Sequence, residues 1–396
     1  VLSCLVDLLV DVVSWGHVSE NDHCFQITQA QIVNLDQPGG ITKTKNIIAI
    51  SLMFKEKKDF SFIMNVHFKG TRGSIPTASN ASEVKEKVVS ALLAARGKDL
   101  RSESQIREFV AKILPFHQGS TFGGNTPCVR IETGSPDWLI FDGGSGLRVL
   151  GNEIMASGLS NQTFHLFLSH FHYDHIQGIP FFAPAFIPGN KIIIHGAHEN
   201  IENFLREQMR TPYFPIDFNT LQAEISFVKH APGDTVEACD TTVTVYQQNH
   251  PGDSYGYRVD QGEKSVVYST DSEHPNIAHG KQYDYLDFIK GTNLLIFDAP
   301  YSHSQSISTR EHWGHSSNVM GVELAARGEV ETLAIFHHDP GASDQDLTDF
   351  LAHTKKFLQR SRLAVREAKP GIPGAPSPRS RPHKVIMSYD GLVLSL

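Results

Sequence analysis

The stretch His170-Phe171-His172-Tyr173-Asp174-His175 places three imidazoles and one carboxylate within six residues. It directly follows 165–169, His-Leu-Phe-Leu-Ser, a short apolar run that predicts a buried strand. Alternate residues of extended backbone point the same way, so we expect His170 and His172 to converge on one ion. Asp174 and His175 follow after the chain has turned, and can face a second ion. These side chains suit Zn²⁺, Mn²⁺ or Fe²⁺, and the strand context favours a metal site over a run of surface histidines.

Composition restricts the classes of function. The chain has 396 residues, of which 40% are hydrophobic and 20% charged, as in soluble globular proteins with a sizeable core. Its formal net charge of −8 disfavours a protein that grips long RNA or DNA through the phosphates. Small anionic substrates remain compatible with this charge, because bound metal ions supply positive charge of their own.

Cysteine usage and hydropathy indicate the compartment. The four cysteines have no CxxC spacing and predict neither a disulfide framework nor a cysteine zinc site: Cys4, Cys24, Cys128 and Cys239. No apolar run is long enough to span a membrane, and Asp7 and Asp11 interrupt the apolar start of the chain. We therefore expect a cytoplasmic protein without a signal peptide and without membrane contact.

Two segments of unequal character make up the chain. Residues 1–62 carry no motif and little periodicity, and are interpreted as an N-terminal extension of unknown structure, with Met64 as an alternative natural start. From residue 63 to 396, strand clusters alternate with helices, which predicts a layered α/β (α+β) domain. Residues 82–114 read as a helical insertion that either caps the pocket or mediates dimerisation. Residues 369–383, rich in Pro and Gly, predict a mobile loop.

Three more candidate ligands share the context of the first motif. His250 follows the apolar run 243–249, Asp271 follows 266–270, and His337 follows 333–336. A single acid or imidazole in such a position is more often structural than ligating. Three of them in one chain, after a first metal motif, favour a second set of ligands.

These motifs together resemble the metallo-β-lactamase superfamily, and within it the branch of ribonuclease Z and the cyclic-nucleotide phosphodiesterases. The similarity runs from Met64 to Leu396 and rests on the following segments: Gly70–Pro76, Gly123–Cys128, Phe141–Gly146, the metal motif with Ile176-Gln177-Gly178, Thr270-Asp271, Gly314-His315-Ser316, His337-His338-Asp339-Pro340 and Tyr389-Asp390-Gly391-Leu392. The resemblance implies an αββα sandwich with two divalent metal ions, Zn or Mn, at one edge.

Ligand roles follow from the same resemblance. One ion would be held by His170, His172 and His250, the other by Asp174, His175 and His337, with Asp271 bridging both. His338 is the alternative to His337, but strand register favours His337, because a shift of one residue turns a side chain to the other face. Asp142 is either a carboxylate that positions the ligand loop or an ordinary turn residue.

The expected chemistry is hydrolysis of a phosphodiester. Two ions lower the pKa of a bridging water and offset the charge that develops on the phosphate, while Asp174 orients the nucleophile. The resemblance makes His315 the proton donor to the leaving group, with Asp298 orienting it. A helix N-cap network is the competing interpretation of 314–316. Arg72 and Asn125 either contact the substrate or hold their loops in shape.

Several functions remain in competition. The leading hypothesis is a phosphodiesterase acting on a small phosphodiester such as a cyclic nucleotide. Ribonuclease Z-like tRNA 3′-end cleavage ranks second, because the tRNA-gripping arm of those enzymes would have to fit between His250 and Asp271, only 21 positions apart. A β-lactamase or glyoxalase II activity ranks lower, and a non-catalytic metal-binding sensor usually lacks some ligands. The resemblance alone implies a homodimer.

Overall fold

The computed structural model describes residues 19–20, 23–24, 64–274, 283–302, 313–367 and 384–396. The chain divides into two units, Val1–Ser61 and Phe62–Leu396. In the first unit, β1 (Ser19–Glu20) pairs with β2 (His23–Cys24) in antiparallel orientation. The remainder of the predicted extension 1–62, and the predicted mobile loop 369–383, lie outside the described residues.

Two seven-stranded sheets form the second unit. The first sheet has the order β16-β3-β4-β5-β6-β7-β8. Its strands are β3 (Asn65–Gly70), β4 (Cys128–Glu132), β5 (Trp138–Phe141), β6 (Thr163–Phe167), β7 (Lys191–Gly196), β8 (Glu224–Lys229) and β16 (Val393–Ser395). Pairing is antiparallel from β16 to β5 and parallel from β5 to β8. The parallel half needs crossover connections, which the intervening helices and loops supply.

The second sheet has the order β15-β14-β13-β12-β11-β10-β9. Its strands are β9 (Thr235–Ala238), β10 (Thr241–Gln248), β11 (Ser254–Gln261), β12 (Lys264–Ser269), β13 (Leu294–Asp298), β14 (Thr332–Phe336) and β15 (Lys384–Met387). It too has an antiparallel half, β9 to β12, and a parallel half, β12 to β15. The four-residue β9 was not predicted from the sequence, because so short a strand at the edge of a sheet leaves little apolar pattern.

Helices cover the outer faces of both sheets. The α-helices of the described residues are α1 (Ala81–Ala95), α2 (Glu103–Glu108), α3 (Phe116–Gly119), α4 (Ser145–Ala156), α5 (Tyr173–Ile176), α6 (Ile201–Gln208), α7 (Tyr285–Ile289), α8 (Asn318–Arg327) and α9 (Asp344–Glu367). In α4, Leu147, Leu150 and Ile154 recur at helical spacing and pack on the first sheet, while α7, α8 and α9 pack on the second. A separate core, which includes Phe68 and Tyr257, fills the space between the sheets. The predicted αββα sandwich is confirmed.

The predicted helical insertion forms α1, α2 and a π-helical turn at Phe109–Ile113. No side chain of α1 is buried, and its apolar residues face solvent, with Leu92 66% exposed. The helix predicted to begin at His315 begins instead at Asn318, because the hydroxyl of Ser317 accepts the N–H of Met320 and caps it. No helix in the described residues is long and apolar enough to cross a membrane.

Strand direction determines where the site lies. His170, His250, Asp271 and His337 each follow the carboxyl end of a strand, namely β6, β10, β12 and β14. Because β12 and β14 run parallel in one sheet and β6 lies in the parallel half of the other, these ends meet at one edge of the sandwich. Side chains at such an edge point into the crevice between the sheets, where α/β proteins place their ligands.

Candidate metal centre

The structure brings all seven predicted ligands together. They form two groups in which the ligand atoms lie within 4.8 Å of one another. The first group is His170, His172, His250 and Asp271, and the second is Asp174, His175 and His337. His172 is exposed, whereas the other six are buried.

Asp271 faces both groups at once. Its Oδ2 lies 3.5 Å from His170 Nε2 and 3.8 Å from His250 Nε2. Its Oδ1 lies 3.3 Å from His175 Nε2 and 3.2 Å from His337 Nε2. One carboxylate oxygen therefore serves each group, which is the arrangement that a bridging ligand requires.

Hydrogen bonds determine which ring nitrogens are available to a cation. His250 Nδ1 donates to the carbonyl of Gly314 at 2.8 Å, and His175 Nδ1 donates to the carboxylate of Asp142 at 2.6 Å. His170 Nδ1 lies 3.0 Å from Ser169 Oγ, whose own proton goes to Asp142. In the neutral rings, each Nε2 then carries a lone pair that faces a carboxylate oxygen. Both atoms are hydrogen-bond acceptors, so they cannot bond to each other.

Such contacts are stable only with a proton or a cation between the acceptors. His170 Nε2 is buried and has no hydrogen-bond partner among the described residues. Burial, followed by the neighbouring His175, lowers the pKa of His170 well below its ordinary value, so this ring stays neutral, the form that ligates metal. Imidazole nitrogens and carboxylate oxygens in this arrangement fit divalent transition-metal ions.

In the second group, the pKa of a histidine is raised instead of lowered. Burial would lower the pKa of His175, but Asp174, Asp271 and Asp142 raise it well above its ordinary value. Burial likewise opposes ionisation of Asp174, yet its histidine neighbours lower the pKa of this carboxyl overall. The carboxylates are therefore ionised and available to hold a cation.

A buried hydrogen-bond network behind the second group fixes His175. Asp142, which is fully buried, accepts the Ser169 N–H at 2.7 Å, the Ser169 hydroxyl at 2.8 Å and the Tyr268 hydroxyl at 2.7 Å, besides His175 Nδ1. These contacts support the interpretation of Asp142 as a positioning carboxylate rather than an ordinary turn residue.

Backbone conformation is unusual at two of the predicted ligands and at Asp142. Asp142, Asp271 and His337 have positive φ angles of 58°, 41° and 59°, a region that side chains other than glycine rarely adopt. Such angles persist only where the surrounding structure enforces them, and they often mark functional sites.

Glycines pack tightly against two of the ligands. A Cβ on Gly73 would lie 2.4 Å from His337 Nδ1, and one on Gly314, whose φ is 82°, would lie 2.0 Å from His250 Nδ1. Beside Gly73, the backbone N–H of Ser74 donates to Asp174 Oδ2 at 2.7 Å. The loops that carry these glycines therefore pack directly against the two ligand groups.

His337 and His338 have different surroundings. The Nε2 of His337 lies 3.0 Å from Asp174 Oδ2, within the second group. His338 Nε2 instead donates to the carbonyl of Ser388 at 2.8 Å, and its ring packs edge-on against Phe122. The structure thus places His337 within the second group and His338 outside it.

The predicted pair His315 and Asp298 lies beside the second group. His315 Nδ1 donates to Asp298 Oδ2 at 2.9 Å, and its ring stacks on His337 with centroids 5.0 Å apart. Burial would lower the pKa of His315, but Asp298 raises it to about 9. His315 also lies within ligand distance of Asp271 and His337, so a metal-binding role is geometrically open to it. The helix N-cap is Ser317, outside 314–316, which disfavours the capping interpretation.

The predicted substrate contacts Arg72 and Asn125 both make hydrogen bonds to other loops of the protein. Arg72 is 3% exposed, and its guanidinium donates to the carbonyls of Gly123, Asp339 and Ala342. The Nδ2 of Asn125 donates to Asp390 at 3.1 Å, and its Oδ1 accepts the hydroxyl of Ser145 at 3.1 Å. Both side chains hold loops together, the second of the two roles predicted from the sequence.

The sequence interpretation missed three contributors: Ser74, Ser169 and Tyr268. A signal existed for Ser169, which immediately precedes His170. For Tyr268, 126 positions from Asp142, and for the backbone of Ser74, no local pattern indicates the contact.

Comparison with known proteins identifies the family. The family model of a β-lactamase superfamily domain matches residues 138–338, just over half of the chain. The chain belongs to the metallo-β-lactamase superfamily. The matched range contains all seven residues of the two ligand groups, and the chain is a metal-dependent hydrolase.

Relatives and solved structures agree with this assignment. Ribonuclease Z of Oceanobacillus iheyensis is 22% identical over 278 residues, covering 57% of this chain and 87% of the relative. Ribonuclease Z of Prochlorococcus marinus (strain AS9601) is 28% identical over 286 residues, covering 60% and 90%. The fold resembles the metallo-β-lactamase fold protein YhfI of Bacillus subtilis, with TM-score 0.52, 17% identity and coverage of 85% and 100%. It also resembles yeast PDE1, with TM-score 0.51, 12% identity and the same coverage.

Proposed function

We propose that this hydrolase cleaves phosphodiester bonds in small nucleotides, with cyclic nucleotides as the leading substrate class. The observation that carries the proposal is the double ligand group joined by Asp271, with the His315–Asp298 pair beside it. His170, His172 and His250 would hold one divalent ion, Zn or Mn, and Asp174, His175 and His337 the other. Ions bound there would neutralise phosphate oxygens and lower the pKa of water, the two things that phosphodiester hydrolysis needs.

The residues of the chain would then perform three tasks. Asp174, held by the backbone N–H of Ser74, would orient the attacking water. His315, with Nδ1 fixed by Asp298, keeps Nε2 to donate a proton to the leaving oxygen. Asp142 would keep His175 in the ring orientation and tautomer that ligation requires.

Cleavage of a tRNA 3′ end is the second candidate, because the curated relatives named above are called ribonuclease Z. The segment between His250 and Asp271 argues against an arm for gripping tRNA at this point. β11, β12 and the Gly262-Glu263 turn between them form one hairpin, which accounts for almost all of this segment. A homodimer and a cytoplasmic location remain predictions from the sequence.

Turnover of four substrates by the metal-loaded protein tests the proposal: bis-p-nitrophenyl phosphate, 2′,3′- and 3′,5′-cyclic nucleotides, and a precursor tRNA. Each is assayed with Zn²⁺ and with Mn²⁺, using the wild type, His172→Ala and the control His353→Ala, which removes an exposed histidine of α9. We expect the cyclic nucleotides to be hydrolysed by the wild type and by His353→Ala, but not by His172→Ala. Cleavage of the precursor tRNA alone would favour the second candidate, and no diester turnover would refute the proposal.

A further inference from the structure

Two large and largely exposed aromatic side chains lie close in the chain to residues that belong to, or contact, the first ligand group. Tyr173 is 80% exposed and lies between His172 and Asp174 in the chain. Trp313 is 54% exposed and directly precedes Gly314, whose carbonyl accepts the hydrogen bond of His250. Tyr173 is therefore the chain neighbour of a predicted ligand, and Trp313 is the chain neighbour of a residue that contacts one.

The segments that contain Tyr173 and Trp313 are connected through a pair of histidines. His172 Nδ1 and His250 Nε2 lie 3.2 Å apart, with ring centroids 5.0 Å apart. His172 is the exposed member of the first group, so a substrate reaches the ligands past this pair. Tyr173 adjoins His172 in the chain, and Trp313 adjoins Gly314, whose carbonyl accepts the hydrogen bond of His250.

The neighbouring aromatic residue of the motif behaves differently. Phe171 packs edge-on against Phe204 and His198, with centroids 4.9 Å and 5.1 Å apart. It therefore anchors the loop to the protein, while Tyr173 remains in solvent. A single exposed aromatic residue is common, but two that adjoin one ligand group offer apolar rings on which a planar ligand can stack.

We propose that Tyr173 and Trp313 form a nucleobase subsite, on which the base of a nucleotide diester stacks while its phosphate reaches the ligand groups. This inference rests on the proposed phosphodiesterase function and specifies its substrate class. An aromatic ring stacks on the π-face of any base, so the subsite selects for a nucleoside over a simple alkyl ester and tolerates different bases. The phosphate needs no cationic side chain nearby, because the metal ions would supply the positive charge.

Two esters with the same leaving group test the subsite: thymidine 5′-(p-nitrophenyl phosphate) and methyl p-nitrophenyl phosphate. Loss of one stacking ring should raise the KM for the thymidine ester roughly tenfold in Tyr173→Ala and in Trp313→Ala. The kinetics of the methyl ester should not change. Tyr173→Phe and Trp313→Phe keep a ring and should retain most of the affinity. Tyr213→Ala, which removes a tyrosine that is 71% exposed but not next to a ligand, is the matched control.

A binding measurement makes the subsite testable without turnover. AMP added to the metal-loaded protein should quench tryptophan fluorescence in the wild type, and this quench should be lost in Trp313→Phe. If the wild type hydrolyses both esters and the alanine variants affect them equally, the subsite is refuted while the phosphodiesterase function stands. If neither ester is hydrolysed but AMP still quenches Trp313, the phosphodiesterase function fails and the subsite stands. Absence of both the quench and the selective rise in KM would overturn the subsite.

Discussion

The two ligand groups of the metal centre differ in how completely the protein encloses them. In the second group every member is buried, and His175 and Asp174 are held in place by Asp142 and by the backbone of Ser74. In the first group His172 is exposed, and His250 is held by a single carbonyl in the loop of Gly314. The second group is thus part of the folded core, whereas the first group reaches the protein surface at His172. Substitutions should therefore separate stability from activity.

The largest effect should come from Asp271, the residue common to both groups. In Asp271→Ala we expect metal content to fall at both positions and activity to drop by more than roughly 1,000-fold, because one carboxylate faces four histidines. Elemental analysis of the purified protein and diester turnover measure the two effects. Asp349→Ala, on the exposed face of α9, is the control and should keep both metals. An Asp271→Ala protein with full metal content would show that Asp271 is not a bridge.

A pair of histidine variants tests the difference between the groups. His175→Ala should lose metal and also unfold more easily, because the buried Asp142 carboxylate would lose one of its hydrogen-bond donors, at a cost of about 1–3 kcal/mol. His172→Ala should lose metal with little change in the free energy of unfolding. Chemical denaturation of the metal-free proteins measures this difference. Equal destabilisation of the two variants would contradict the distinction drawn between the groups.

Substitution of Asp142 should have an intermediate effect on metal binding, since its carboxylate contacts a predicted ligand rather than the ion. We expect Asp142→Asn to weaken metal binding at the second group by roughly 10- to 100-fold and to leave the first group nearly unaffected. Competition with a zinc chelator would resolve the two affinities. Tyr268→Phe removes one of the hydrogen bonds to Asp142 and should weaken the same affinity by less. A larger loss in Tyr268→Phe than in Asp142→Asn would indicate that Tyr268 has another role.

The smallest effect on activity should come from His338, the neighbour of a ligand. His338→Ala removes the hydrogen bond to Ser388 and should cost about 1–3 kcal/mol of folding free energy, because a buried carbonyl loses its partner. Metal content should be unchanged, and kcat should stay within about twofold of the wild type. Loss of one metal ion in this variant would mean that His338, rather than His337, is the ligand.

The strand pattern of the sequence was sufficient to predict the layered fold and to nominate the seven residues that the structure brings together. Each nominated residue follows an apolar strand, so its position at the edge of a sheet can be inferred from local pattern and from the side-chain period of two. Roles that depend on contacts between distant segments could not be read in this way. The guanidinium of Arg72 and the hydroxyl of Tyr268 could equally bind a substrate or water. Only the packing of segments distant in the chain shows that both groups make internal hydrogen bonds.

Residues 384–396 supply an edge strand to each sheet, which affects how the protein folds during its synthesis. They supply the edge strand β15 to the second sheet and β16 to the first. Between these strands, Asp390 accepts the backbone N–H groups of Gly124 and Asn125. A polypeptide emerging from the ribosome therefore cannot complete either sheet, or fix the loop of Gly124, until residues 384–396 have been synthesised. Chains that terminate before residue 384 would expose unpaired strands in both layers and be targets for proteolysis instead of partly active enzyme.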